Sequence, residues 1–365
     1  MNNLFSKTAM CALALIVVTS CKKDKTEDPA PTPATGYTIP TTYNFTNLNY
    51  SGQTTRLIML DSITNYMKKG NNGILLSGTQ MKNMYSNTGS PFGDAALDGS
   101  GKQLKNKTYS LEQSYFDGLF DSLAIVSQSG TSVGSNGVAG VVTSTANPSK
   151  KYLMDKNGLE YAQVIRKQLM GAVFYFQAIE TYLASLPTDD NTTIVAGEGT
   201  VMEHHCDEAF GYFGVPVDFP VNLSGIKYWG DYCNEVNPAV AANTPLMNAF
   251  IKLRAAVSNK DNTTRDAQVV IIRQQWERVV AGAAILELTE AKTNFSDDAV
   301  RNHVLSEAVG FINSLKYNSN KQISTTQINT ALSSLGTNFY TITITDIDNS
   351  INTINAVYNF NLSLF

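Results

Sequence analysis

Arg265–Lys292 reads RDAQVVIIRQQWERVVAGAAILELTEAK, 28 residues with no proline anywhere inside them. Nothing interrupts the backbone ladder, and the run is far too long for a strand, so it predicts one long helix. A second long segment, Leu159–Leu186, is closed by Pro187, which cannot continue a helix. Shorter amphipathic helices surround these two. Thr54–Lys69 carries Leu57, Leu60, Ile63 and Met67 on one stripe and stops at Gly70-Asn71-Asn72-Gly73. Ser110-Leu111-Glu112-Gln113 has the form of a capping box, ahead of Phe116, Leu119, Phe120, Leu123 and Val126. Thr200-Val201-Met202-Glu203 has it again, ahead of Met202, Ala209, Phe210 and Phe213.

Pro245–Val257, a helix capped by Ser296, Thr325–Leu335 and Thr345–Asn359 complete the helical set. The Gly/Ser/Thr-rich run 127–149 reads as a long loop, and 215–243, punctuated by Gly, Pro and Asn, as an irregular excursion. Tyr340–Thr345 alternates and is the one short strand candidate. The expected fold class is therefore all-α, a helical bundle protein. Two packed bundles meeting near the irregular centre are its natural variant.

The N-terminus has its own logic. Lys7 precedes the apolar run Ala9–Val18, and Val18-Thr19-Ser20-Cys21 follows. A charged start, a short apolar core and small residues before a cysteine resemble a bacterial lipobox. The expectation is a signal peptide at 1–20, lipid on Cys21, a solvated Pro-rich tether over 21–36, and one helical domain over 37–365. The Cys-Lys-Lys-Asp start resembles lipoproteins of the Bacteroidota type, which places the expected location in the cell envelope, at the outer membrane, with the membrane itself as a partner.

Composition narrows the partners. Loss of residues 1–20 removes Lys7 alone from 27 Lys+Arg, leaving 26 against 31 Asp+Glu, a net charge of −5. With no basic stripe, nucleic acid is not an expected partner. Outside the signal and Cys21 only Cys206 and Cys233 remain. In an oxidising compartment they are a candidate disulfide, worth on the order of 3 kcal/mol for a loop of this length; two free thiols or metal ligands are the alternative.

Only three histidines exist, His204, His205 and His303. His205 and Glu208 lie three apart on one predicted helix, and His303 and Glu307 lie four apart on another. Imidazole and carboxylate at these spacings are how helical bundles build metal sites, so the four residues are the candidate ligands of iron or another divalent metal if the two helices face each other. The bland reading is a capped helix start, a buried hydrogen-bonded histidine and a surface pair. There is no His-Glu-x-x-His, no Gly-x-Ser-x-Gly and no Gly-x-x-x-x-Gly-Lys, so zincin, serine-hydrolase and nucleotide readings lack their marks.

Glu203-His204-His205-Cys206-Asp207-Glu208-Ala209-Phe210-Gly211-Tyr212-Phe213-Gly214-Val215-Pro216 resembles the signature of an uncharacterised Bacteroidota lipoprotein family. Trp276–Gly282 and Leu305–Ile312 resemble its later blocks. That family is similar in turn to imelysin-like proteins, helical envelope proteins linked to iron uptake that carry Gly-x-His-x-x-Glu. His205 and Glu208 match the histidine and glutamate of that motif, while Glu203 stands where its glycine would be. The resemblance implies a non-enzymatic accessory role in uptake of iron or an iron ligand, with an outer-membrane uptake receptor as protein partner. A glycan-binding lipoprotein, with Tyr228, Trp229 and Tyr232 as stacking rings, is the alternative expectation. A structural protein without a small ligand is the third.

Overall fold

The computed structural model describes residues 36–365, so the signal-like run, Cys21 and the tether up to residue 35 lie outside the described residues. Helices dominate, as expected, in the order Ser51–Met67 (α1), Gly78–Ser86 (α2) and Gln113–Ser127 (α3). The next, α4, starts as Tyr161–Leu169, runs through two π-helical stretches, Met170–Tyr175 and Gln177–Tyr182, and closes with Leu183–Ser185. Val201–Phe213 (α5), Trp229–Glu235 (α6), Asn243–Ser258 (α7) and Asn262–Thr293 (α8) follow. Asp298–Ser314 (α9), Thr325–Ser334 (α10) and Ile344–Tyr358 (α11) end the chain.

Several local expectations need correcting. Inside the run read as a loop, Gly140–Thr143 (β1) pairs antiparallel with Lys151–Met154 (β2), Val142 opposite Tyr152. Four residues carry too little alternation to announce a strand. The region of Tyr340–Thr345 is no strand: Phe339–Thr341 is a 3₁₀ turn and α11 begins at Ile344. The Thr200 capping box forms as expected, but the Ser110 one does not, because Ser110–Glu112 is a separate 3₁₀ turn. Asp297, not Ser296, caps α9 by accepting from the N–H groups of Ala299 and Val300. The central excursion also holds a real helix, α6.

Tyr37–Phe365 forms one compact unit. α8 runs through it, packed by α7, α9, α11 and α6, and buries Ile272, Trp276, Val280 and Leu288. α4 is flanked by α9, α5 and α3. Its crossing with α9 is set by two glycines. A Cβ on Gly171 would come 2.2 Å from the Ser314 hydroxyl oxygen, and one on Gly310 2.5 Å from Lys167 Cβ. With no side chain at either point the two backbones approach closely, and the turn of α9 before Gly310 brings Glu307 onto Lys167 of α4. Among the described residues no helix is long and apolar enough to cross a membrane.

Candidate functional site

The four candidate ligands do not form one site. Ser185 and Asp189, at the end of α4, hold His205: its Nδ1 lies 3.0 Å from the serine hydroxyl and 2.7 Å from the aspartate. Glu160, the residue just before α4, holds His303 at the other end through Nδ1, 2.5 Å away. The length of α4, on the order of 30 Å at helical rise, separates the two histidines. Convergence of His205 and Glu208 with His303 and Glu307 is therefore ruled out by the helix that anchors both.

The motif on α5 serves mainly to lock the fold. Glu203 closes the capping box and also meets Arg254 of α7 at 2.7 Å. Asp207, fully buried, accepts from Arg254 Nε and from the Tyr43 hydroxyl, each at 3.0 Å. Burial pushes the Asp207 carboxyl up to about 6, against the pull of Arg254. Glu208 turns away from His205 and accepts from Gln53 Nε2 of α1 at 2.6 Å. It is His204 that stands on the Glu208 side, with Nε2 3.9 Å from the carboxylate. One short helix thus ties α7 by ion pairs, and α1 and the segment at Tyr43 by hydrogen bonds to its carboxylates.

The other pair opens onto a cavity of about 210 Å³ lined by Tyr152, Tyr232, Glu235, Glu287, Glu290, His303 and Glu307 with Lys150, Val300 and Val304. Its members come from three helices, α6, α8 and α9, and from β2 and the residue before it. His303 stacks on Tyr152 at 4.0 Å. The bond to Glu160 puts the imidazole proton on Nδ1 and leaves Nε2 directed at Glu307 Oε1, 3.4 Å away. Lys167, 1% exposed, donates to Glu307 Oε2 at 2.8 Å and also bonds the Tyr232 hydroxyl.

These contacts set the charges. Burial opposes ionisation of Glu307, but Lys167 and His303 outweigh it and draw the carboxyl down to about 2. Burial lowers Lys167 despite Glu307. For His303 burial again acts against the charge, yet Glu160 and Glu307 raise it. Glu287 goes the other way: burial first, then the facing Glu307 charge, hold its carboxyl well above the usual range. Glu235 at the rim is raised too, by burial and by Asp231.

A carboxyl whose folded pKa lies above its unfolded one favours the fold at low pH, and that contribution is lost as pH rises through the folded value. Glu287→Gln keeps the neutral hydrogen-bonding shape but cannot ionise. Its thermal midpoint is expected to match wild type at pH 5 and to exceed it at pH 9. An equal shift at both pH values would contradict the protonated carboxyl.

The remaining candidates also move. Cys206 and Cys233 are free thiols, each buried on its own helix, and the proposed pairing is not formed. Sequence spacing carries no information on where the Cβ bonds point, which is what a disulfide needs. Burial raises both thiols well above their ordinary value. Tyr228, Trp229 and Tyr232 are all buried, with Trp229 Nε1 donating to the Met170 carbonyl at 2.9 Å and the Tyr228 hydroxyl to Asp61 at 2.7 Å. They pin the central segment to α4 and α1 and offer no exposed face to stack on. Of the three, Tyr232 lines the cavity beside His303 and Glu307.

Sequence reading missed Glu160, Lys167, Glu287 and Glu290. A signal was present for two of them. Lys167 sits among Val164, Met170 and Gly171, and Glu287 among Ala284, Leu288 and Ala291, so each puts a charge on an inward helical face. Among the described residues no group of three or more His, Cys, Asp or Glu is already disposed around one metal position. Lys167 stands inside the cluster, and Glu287 faces Glu307 instead of His303 Nε2.

Residues 40–360 match the family described as Domain of unknown function (DUF4856), and the chain belongs to that family. No curated protein and no solved structure matches the chain.

Proposed function

We propose that this member of the DUF4856 family is a lipid-anchored, non-enzymatic binding protein of the cell envelope, serving an uptake system, whose ligand is a divalent cation held between His303, Glu307 and Glu287. Iron is the first candidate. The observation that carries the reading is the 3.4 Å between His303 Nε2 and Glu307 Oε1 with Nδ1 anchored on Glu160. Two ligands each about 2.1 Å from one ion stand roughly that far apart. A carboxylate on the far ring nitrogen is the usual support of a metal-bound histidine. Glu287 supplies the third ligand by a side-chain rotation away from Glu307. Glu235 and Glu290 at the mouth favour cation entry.

Lipid at Cys21 and the tether would carry this pocket at the outer membrane, where an uptake receptor is the fitting partner. Anaerobic calorimetry of the full chain in detergent with Fe(II), and with Mn(II) and Zn(II) in parallel, tests the reading. One saturable site per chain is expected. No binding of any of the three ions overturns it.

A further inference from the structure

We propose a second ligand site, independent of the cation pocket, where α4 is π-helical, and that this site holds a single neutral sugar ring. A cavity of about 340 Å³ opens there, lined by Tyr109, Phe176, Glu180, Lys316, Tyr317 and Ser319. That volume is at the lower end for small-molecule sites and suits one ring, not a long chain. Phe176 is the single residue between the π-helical stretches Met170–Tyr175 and Gln177–Tyr182. Extra residues per turn rotate the helix face at that point, and such breaks recur at functional sites because they re-aim a side chain.

The wall is aromatic and the rim polar. The Tyr109 ring lies 5.0 Å from that of Phe176 and 6.0 Å from that of Tyr317. The charges at the rim are already balanced within the protein: Glu180 pairs with Arg273 at 2.6 Å, and Lys316 with Glu112 at 2.6 Å. A net-charged ligand therefore finds no unmatched partner. Hydrogen-bonding capacity remains nevertheless. Lys316 has three N–H donors and spends one on Glu112. Glu180 Oε1 accepts from Arg273 and from the Ser319 N–H, while Oε2 accepts only from the Ser319 hydroxyl, leaving one lone pair open. A purely apolar ligand would cover these groups without satisfying them. A pyranose presents a C–H face to the rings and a hydroxyl edge that both donates and accepts, which answers each feature.

The site shares no ring with Tyr228, Trp229 and Tyr232 of the central segment. Saturation-transfer NMR on the full chain with the methyl glycosides of glucose, galactose, mannose and N-acetylglucosamine tests it. At least one should receive saturation at its ring protons, with affinity falling roughly tenfold in Phe176→Ala and in Lys316→Ala. His303→Ala should leave it unchanged, which separates this site from the cation pocket. Lys316 is partly exposed, so its variant reports even if Phe176→Ala unfolds. Silence from all four glycosides, transfer that survives in both variants, or transfer to phenol while every glycoside is silent overturns the proposal.

Discussion

Arg254→Met should lower the unfolding free energy by about 3–5 kcal/mol, the largest loss expected from any single substitution outside the two cavities. Arg254 is fully buried, and so is the Asp207 carboxylate it meets at 3.0 Å. A methionine fills much of the same volume, so packing is nearly kept and the effect is electrical. Asp207 would be left with the Tyr43 hydroxyl and the Asn49 N–H, and Glu203 would keep its cap but lose its cation. The double variant Arg254→Met/Asp207→Leu should recover much of the loss, because an apolar pair of similar size has no stranded charge. Urea unfolding of the three proteins measures this. A loss below about 1 kcal/mol in the single variant would mean that water reaches Asp207 and the motif helix is not locked as described.

Lys167→Met carries the second large effect, and it has two faces. Its ammonium is the internal cation of the acidic pocket, and removal leaves Glu307 opposite Glu287 with only His303 and Tyr232 in support. Breaking a buried pair on one side costs about 3–5 kcal/mol; here the loss should sit at the lower end, since His303 can charge and Glu287 already holds a proton. The cavity meanwhile loses a positive charge next to the proposed ligands. Affinity for a divalent cation should therefore rise although the fold weakens, and saturating cation should restore part of the lost thermal stability by mass action. Unfolding curves with and without Mn(II) measure both at once. A destabilised variant that Mn(II) does not rescue would separate the structural role of Lys167 from any cation site.

The helices were legible because each long apolar stripe repeats many times, and the Thr200 capping box because its chemistry is wholly local. β1 and β2 were not, because a four-residue pair is specified by its partner more than by its own pattern. The site was half legible for a related reason. His303 and Glu307 share one helix and announce themselves four residues apart. Glu160, Lys167 and Glu287 reach them only through the Gly171–Ser314 and Gly310–Lys167 contacts of the α4–α9 crossing and the packing of α8 on α9. On α5 the same pattern of histidine and carboxylate misled, since backbone spacing cannot tell that Arg254 and Asp189 claim the motif from outside. Cys206 and Cys233 show the same limit: two leftover cysteines are a pair only if the helices that carry them aim them together.

The proposed cation site belongs to His303 at one end of α4 and not to the histidine of the motif at the other. Anaerobic Fe(II) titration of His303→Ala and His205→Ala beside the wild-type chain tests it most directly. Loss of one ligand of an ion should weaken binding at least tenfold in His303→Ala, with His205→Ala within about twofold of wild type. Equal affinity in wild type and His303→Ala, or a loss confined to His205→Ala, would contradict it.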